Sequence, residues 1–271
     1  MGWSLSAVVL WREGRMFGCG FGVRLGLGRR VVGVVVSVNA FAWGVESSGG
    51  GCDDRVGVVD TAWGTGFVVA DGAGGMSGGA LAAQKVVEGA ERWLLALERA
   101  PTDLECAHWL TQTDQSMALE RGVGLTTAVL LVVGGGRLTG ASVGDSEATL
   151  WSAGKGRELT SMQHRKPLLG SGEAWVVPIA SVKAQGMLLM CSDGLSKYAP
   201  YAEIERIMAH FEAEEDAERA RSASVRPTRQ GAGASQAVVG ALIDAARMPN
   251  GGLQDDVGVI LASLGTSATS L

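Results

Sequence analysis

Phe67-Val68-Val69-Ala70-Asp71-Gly72-Ala73-Gly74-Gly75 is the stretch on which the fold turns. Its apolar, β-branched start makes a buried strand, and Asp-Gly ends it because both residues favour turns. The pattern recurs downstream, where Met187-Leu188-Leu189-Met190-Cys191-Ser192 runs into Asp193-Gly194. A third acidic pair, Asp255-Asp256, stands directly before Val257-Gly258-Val259-Ile260-Leu261. Upstream, Cys52-Asp53-Asp54-Arg55 precedes a short strand at Val56-Gly57-Val58-Val59, and residues 61–66 turn the chain back. The spacing predicts an antiparallel hairpin that sets Asp54, at the start of one strand, beside Asp71, at the end of the other. Carboxylates gathered at several strand ends suit one task above others, holding hard divalent cations.

The bulk composition limits the alternatives. The chain has 271 residues, 46% hydrophobic and 19% charged, enough for a sizeable core in one large domain or two small ones. A net charge of −5 argues against nucleic acid as the partner, since phosphate backbones call for concentrated Lys and Arg. The four cysteines (Cys19, Cys52, Cys106, Cys191) form no CxxC pair and are too few for a disulfide scaffold, which points to a reducing, cytoplasmic setting. Cys191 is a poor nucleophile candidate: Asp193 follows almost at once and repels thiolate and phosphate alike. No uninterrupted apolar run reaches the ~18 residues of a membrane span, and the N-terminus lacks a signal peptide's layout.

Along the chain, residues 1–37 show no steady period apart from a candidate strand over 30–38, and are set apart as an N-terminal extension. Helices are expected over 78–100, stopped by Pro101, and 103–121, with Thr102 as N-cap and Glu105 completing a capping box. Three strands then follow in meander fashion, 126–133, 137–143 and 148–152. A basic loop over 154–172, strands at 175–179 and 187–191, a helix at 202–217, an Arg- and Gly-rich loop at 221–235, a helix at 236–247 and a last strand at 257–262 complete the order. Strands do not alternate one-for-one with helices. The expectation is an α+β fold of antiparallel sheets with helices packed outside. Trp93, Trp109, Trp151 and Trp175 read as packing residues.

Mg²⁺ and Mn²⁺ take oxygen ligands, and the three histidines (His108, His164, His210) lie outside the acidic runs. With these motifs laid out, the chain resembles the metal-dependent protein phosphatases of type 2C, in their bacterial form. The resemblance rests on CDDRVGVV (52–59), FVVADGAGG (67–75), TTAVLLV (126–132), ASVGDSEATLW (141–151), MLLMCSDGLS (187–196) and DDVGVILA (255–262), in the family's order. It implies a four-layer α-β-β-α sandwich, a catalytic domain over 38–265 and a tail at 266–271. It also implies two Mn²⁺ or Mg²⁺ ions. Asp71 would bridge them, the Gly72 carbonyl would bind one, and Asp193 and Asp255 would complete the other's shell. Asp54 would orient the attacking water, with Asp53 at the acidic or amide position before it. Asp145 matches an aspartate that can bind a third, weaker ion. The implied catalytic set is Asp54, Asp71 and Asp193. The implied reaction is attack of metal-activated water on phosphoserine or phosphothreonine, in a cytoplasmic monomer acting on a phosphorylated protein, opposing a kinase, with no role for nucleic acid or membrane.

The chain also departs from the family pattern. Ser47-Ser48-Gly49-Gly50-Gly51 holds no arginine where members often carry one for the substrate phosphate. Ala73 replaces a histidine found in many eukaryotic members, and Leu125 replaces a glycine before the two threonines. Lys197 stands where many members have an aspartate, and its charge opposes a third metal. Arg55, Arg165 and Lys166 remain as other cations, and 168–171 as part of a flap beside the site. These departures keep two alternatives open: a phosphatase-like regulator that binds a phosphoprotein or kinase, and a hydrolase of small phosphate esters.

Overall fold

The computed structural model describes residues 20–25, 36–49, 51–74, 77–222 and 231–266. The first strands are β1 (Gly20–Leu25), β2 (Val36–Glu46), β3 (Arg55–Asp60) and β4 (Gly64–Ala70), followed by helices α1 (Gly79–Ala96) and α2 (Asp103–Ala118). Six strands come next: β5 (Ala128–Gly134), β6 (Arg137–Val143), β7 (Glu147–Ser152), β8 (Lys155–Glu158), β9 (Val177–Lys183) and β10 (Gly186–Cys191). The chain then forms α3 (Asp193–Ser196), α4 (Tyr201–Ser222), α5 (Gly231–Ala245) and β11 (Val257–Thr266). One six-stranded sheet has the order β1-β2-β11-β10-β7-β8, and one five-stranded sheet the order β3-β4-β5-β6-β9, all antiparallel.

Strands covered on both faces read as unbroken apolar runs, and that is the pattern here. In β4, Phe67 and Val69 point into the layer between the sheets while Val68 and Ala70 pack with the α1 and α2 side. In β10, Leu188 and Met190 face the inter-sheet core, and Met187, Leu189 and Cys191 face α4 and α5. β11 divides likewise, with Ile260 and Ala262 inward and Val257, Val259 and Leu261 outward. The result is four layers, helices outside and two sheets inside, as the sequence implied.

Several boundaries differ, each for a local reason. The meander expected after α2 splits: β5 and β6 pair in the five-stranded sheet, but β7 pairs with β10 in the other. The turn at Gly144, with φ +93°, carries the chain across, and β9 takes the open edge of β6. α1 stops at Ala96, because Leu97 turns extended and its carbonyl accepts the Trp63 indole N–H at 3.1 Å. α4 runs to Ser222 and α5 starts at Gly231, so of the loop expected at 221–235 only 223–230 lies outside the described residues. The strand expected over 30–38 is described only from Val36, where β2 begins; 30–35 lie outside the described residues. The loop expected over 154–172 contains β8. Among the described residues, no helix is long and apolar enough to cross a membrane.

Candidate active site

Strand register brings the acids of the motifs to one edge of the sandwich. Arg55 lies opposite Ala70, so Asp54 and Asp71, one residue beyond each, are neighbours. In the other sheet Cys191 lies opposite Val259, which sets Asp193 beside the 255–256 turn. The two pairs meet: the Asp71 carboxyl is held well above the usual carboxylate range by burial, and then by the charges of Asp54, Asp193 and Asp255. Burial also raises Asp54, with Asp256 and Asp255 adding to it and the Ser192 hydroxyl opposing. Asp255 is raised by partial burial and by Asp193 and Asp256.

Backbone contacts fix this cluster. The Asp71 N–H donates to Thr127 Oγ1 at 2.9 Å, and the Asp71 carbonyl accepts from the Thr127 N–H at 2.9 Å and Thr126 Oγ1 at 2.8 Å. The Gly72 N–H donates to the Asp53 carbonyl at 3.3 Å. A Cβ on Gly72 would strike the Gly79 backbone, and one on Gly78 the Gly122 carbonyl. The chain beside the acids is thus bare backbone packed on the start of α1, and Gly78 adopts a left-handed φ of +96° to permit it. Asp54 is 1% exposed, and its Oδ2 is buried with no hydrogen-bond partner. Among the described residues, no three Asp, Glu, His or Cys side chains close on one point that could hold an ion.

The model of the stage II sporulation protein E (SpoIIE) family matches residues 62–265. The chain belongs to this family. Its architecture is that of bacterial serine/threonine phosphatases of the type 2C class. A bacterial serine phosphatase variant superposes with a TM-score of 0.60 at 17% identity, over 83% of this chain and 98% of that one. Stp1 from Staphylococcus aureus gives 0.59 at 16% identity, over 88% and 99%. MsPP from Mycobacterium smegmatis, solved with cacodylate, gives 0.58 at 20% identity, over 84% and 100%. At these identities the likeness speaks for the fold. No curated protein sequence matches the chain.

Within this candidate site, three residues have structural parts that the sequence did not assign to them. Asp256, buried, accepts from the Asp53 N–H at 2.6 Å, the Ser48 N–H at 2.7 Å and the Ser48 hydroxyl at 3.1 Å. It thereby ties the loop that carries Asp54 to the start of β11. Ser192 Oγ accepts from the Gly258 N–H at 2.9 Å and locks the start of α3 to β11. Asp114, buried in α2, accepts from the N–H groups of Gly170 (2.7 Å), Gly172 (3.0 Å) and Ala174 (3.0 Å). It anchors the far side of the loop expected to flank the site. Asp256 and Ser192 lie inside the quoted motifs with no role read for them there, and Asp114, within α2, carries no sequence signal.

The cations fall as follows. Arg55 turns back on its own loop, with Nη1 donating to the Cys52 carbonyl at 2.6 Å and the Asp54 carbonyl at 2.7 Å. The Lys197 ammonium bonds Asp193 Oδ2 and lies 3.6 Å from Asp145 Oδ2. Arg165 Nε donates to the same Asp145 oxygen at 2.7 Å. Asp145 thus faces two cations. Trp175, read from sequence as a packing residue, is instead 56% exposed and lies against His164 with ring centroids 4.5 Å apart. The Cys191 thiol is pushed far up by burial and by Glu147, Asp193 and Asp54, which leaves no thiolate for chemistry.

Proposed function

We propose that this SpoIIE-family protein is a metal-dependent serine/threonine protein phosphatase whose catalytic unit spans residues 38–265. The observation that carries the reading is the meeting of Asp54, Asp71, Asp193 and Asp255 from two sheets, with Asp54 Oδ2 buried and unpartnered. Acids this close raise one another's proton affinity, and a buried carboxylate oxygen without a partner is costly; a divalent cation relieves both. The donor set fits Mn²⁺ or Mg²⁺ in type, all oxygen, with the Gly72 carbonyl next to Asp71 in the chain. Side-chain rotation has to close the set, since as they stand no three of these groups surround one point.

In this reading Asp71, the Gly72 carbonyl, Asp193 and Asp255 would hold the ions, with Asp53 in the chain loop that carries Asp54. Bound there, paired divalent cations acidify a water and neutralise charge building on the phosphoryl oxygens. The protein's own part is placement. Thr126 and Thr127 fix the backbone of Asp71, and Asp256 fixes the loop of Asp54. Asp54 accepts a hydrogen bond from the attacking water and aims it. Water displaces the serine or threonine oxygen in line at phosphorus, with no phosphoenzyme; the leaving oxygen takes its proton from solvent, since Ala73 offers none. The substrate is a phosphorylated protein, and an opposing kinase supplies it.

The test is hydrolysis of p-nitrophenyl phosphate and of a phosphothreonine peptide with Mn²⁺ or Mg²⁺. Activity is expected to need the metal, to vanish with chelator, and to vanish in Asp71→Ala while the circular dichroism spectrum is kept. An Asp71→Ala protein as active as the parent would end this reading. The ammonium of Lys197 on Asp193 favours a second reading, a regulator that binds a phosphoprotein without cleaving it. Calorimetry separates the two, because no heat of Mn²⁺ binding at millimolar metal supports the regulator.

A further inference from the structure

A phosphate ester arriving at four clustered carboxylates needs positive charge that the acids do not provide. Among the cations near this edge, Arg55 is spent on two carbonyls of its own loop, and Arg247 is held by Glu46 at 2.6 Å and Asp244 at 2.8 Å. Lys197 pairs with Asp193 Oδ2, an acid that a bound metal ion would claim, and Arg165 bonds Asp145 through Nε. They come from separate elements, the residue after α3 and the loop after β8, yet both approach the same oxygen, Asp145 Oδ2. Asp145 itself follows Gly144 in the turn that crosses between the sheets, with Ser146 buried beside it and hydrogen-bonded to Thr127 at 2.6 Å. The anchor therefore hangs from the same threonine that fixes Asp71.

Resting on the phosphatase reading, we propose that Lys197 and Arg165 form the substrate's phosphate clamp, and that Asp145 is the positioning residue that gathers them. An ammonium has three donors, and this side chain is 36% exposed; the guanidinium of Arg165 uses Nε on Asp145 and is 67% exposed, so its Nη fork faces outward. Against two cations, Asp145 supplies one negative charge. The trio keeps a net positive charge once Asp193 is engaged elsewhere, which suits a phosphoryl dianion held by charge-assisted bonds. In this arrangement Asp145 serves the cations and is not a ligand for a third ion.

Inorganic phosphate is the probe, titrated calorimetrically into the Mn²⁺-loaded full-length protein, with KM and kcat for p-nitrophenyl phosphate measured alongside. Arg165→Ala and Lys197→Met are each expected to raise the phosphate Kd and KM about tenfold or more. Lys197→Arg is expected to recover most of the loss. Asp145→Asn is expected to weaken phosphate in the same direction while the number of bound Mn²⁺ ions stays that of the parent. Arg165 is a surface side chain, so its variant folds and keeps the test valid if changes at 197 do not. Unchanged phosphate binding in both cation variants overturns the clamp. So does one bound Mn²⁺ fewer in Asp145→Asn, or one more in Lys197→Met, since either makes this corner a metal site. A parent protein that neither binds Mn²⁺ nor hydrolyses ester defeats the phosphatase reading instead, a result separate from these.

Discussion

Thr127 is 3% exposed, and its hydroxyl serves two partners, the Asp71 N–H and Ser146 Oγ. Replacing it with valine keeps the volume and deletes the oxygen, leaving a buried N–H without an acceptor next to the central acid. Thr127→Val is expected to cost about 1–3 kcal/mol in stability, read by urea unfolding. Hydrolysis is expected to lose kcat, because the change moves Asp71, and to gain in KM, because the same hydroxyl holds Ser146 beside Asp145. Thr127→Ser, which restores the hydroxyl, is expected to recover both. At this scale the sequence was legible where chemistry coincides with local geometry. Asp54 and Asp71 are set side by side by a hairpin that two short apolar runs and the turn residues between them announce. Asp256, Ser192 and Asp114 were not legible, because their value comes from backbone N–H groups that lie more than 50 positions away in the chain.

Helix α2 shows how far local rules reach. Its capping box is complete: Thr102 Oγ1 accepts from the Glu105 N–H at 3.2 Å, and Glu105 Oε2 accepts from the Thr102 N–H at 2.8 Å. Arg99 adds two bonds to the same carboxylate, Nη1 to Oε2 at 2.9 Å and Nη2 to Oε1 at 2.6 Å, and with that cap holds Glu105 down at about 2. A carboxyl lowered on folding stabilises above its ordinary pKa and loses that contribution as pH falls through its folded value. Thr102→Ala is expected to cost about 1 kcal/mol near neutrality. In Glu105→Gln the melting-temperature deficit is expected to be full at pH 6 and to shrink as pH drops below about 4.5 toward 2. A deficit that stays constant over that range would show that the carboxylate charge is not what stabilises the cap. The splitting of the β5-β6-β7 meander, by contrast, was illegible. Hydrophobic runs state that a strand is buried on both faces, not which sheet it joins, and Gly144 makes a crossover as readily as a hairpin.

At the scale of the molecule, the two sheets exist as separate pairings, and the site exists only where their ends meet. Asp54 and Asp71 belong to one sheet, while Asp193 and Asp255 flank strands of the other. In the unfolded chain these acids are scattered over some two hundred positions and cannot share an ion. A cation that bridges them therefore binds the folded state alone and stabilises it by linkage, about 2.7 kcal/mol when free metal stands at 100 times its Kd. For a chain of this size that is a rise of several degrees in melting temperature. Calorimetric scans with increasing Mn²⁺ are expected to show that rise, and excess chelator to reverse it. Asp71→Asn puts a neutral amide where burial and neighbouring acids already disfavour the anion, so its metal-free form is expected to melt no lower than the parent, while its response to Mn²⁺ is lost. The same insensitivity is expected of Asp193→Asn, although that acid comes from the other sheet. A response that survived in one variant and vanished in the other would place the ion on a single sheet, and the joint site between the layers would have to be given up.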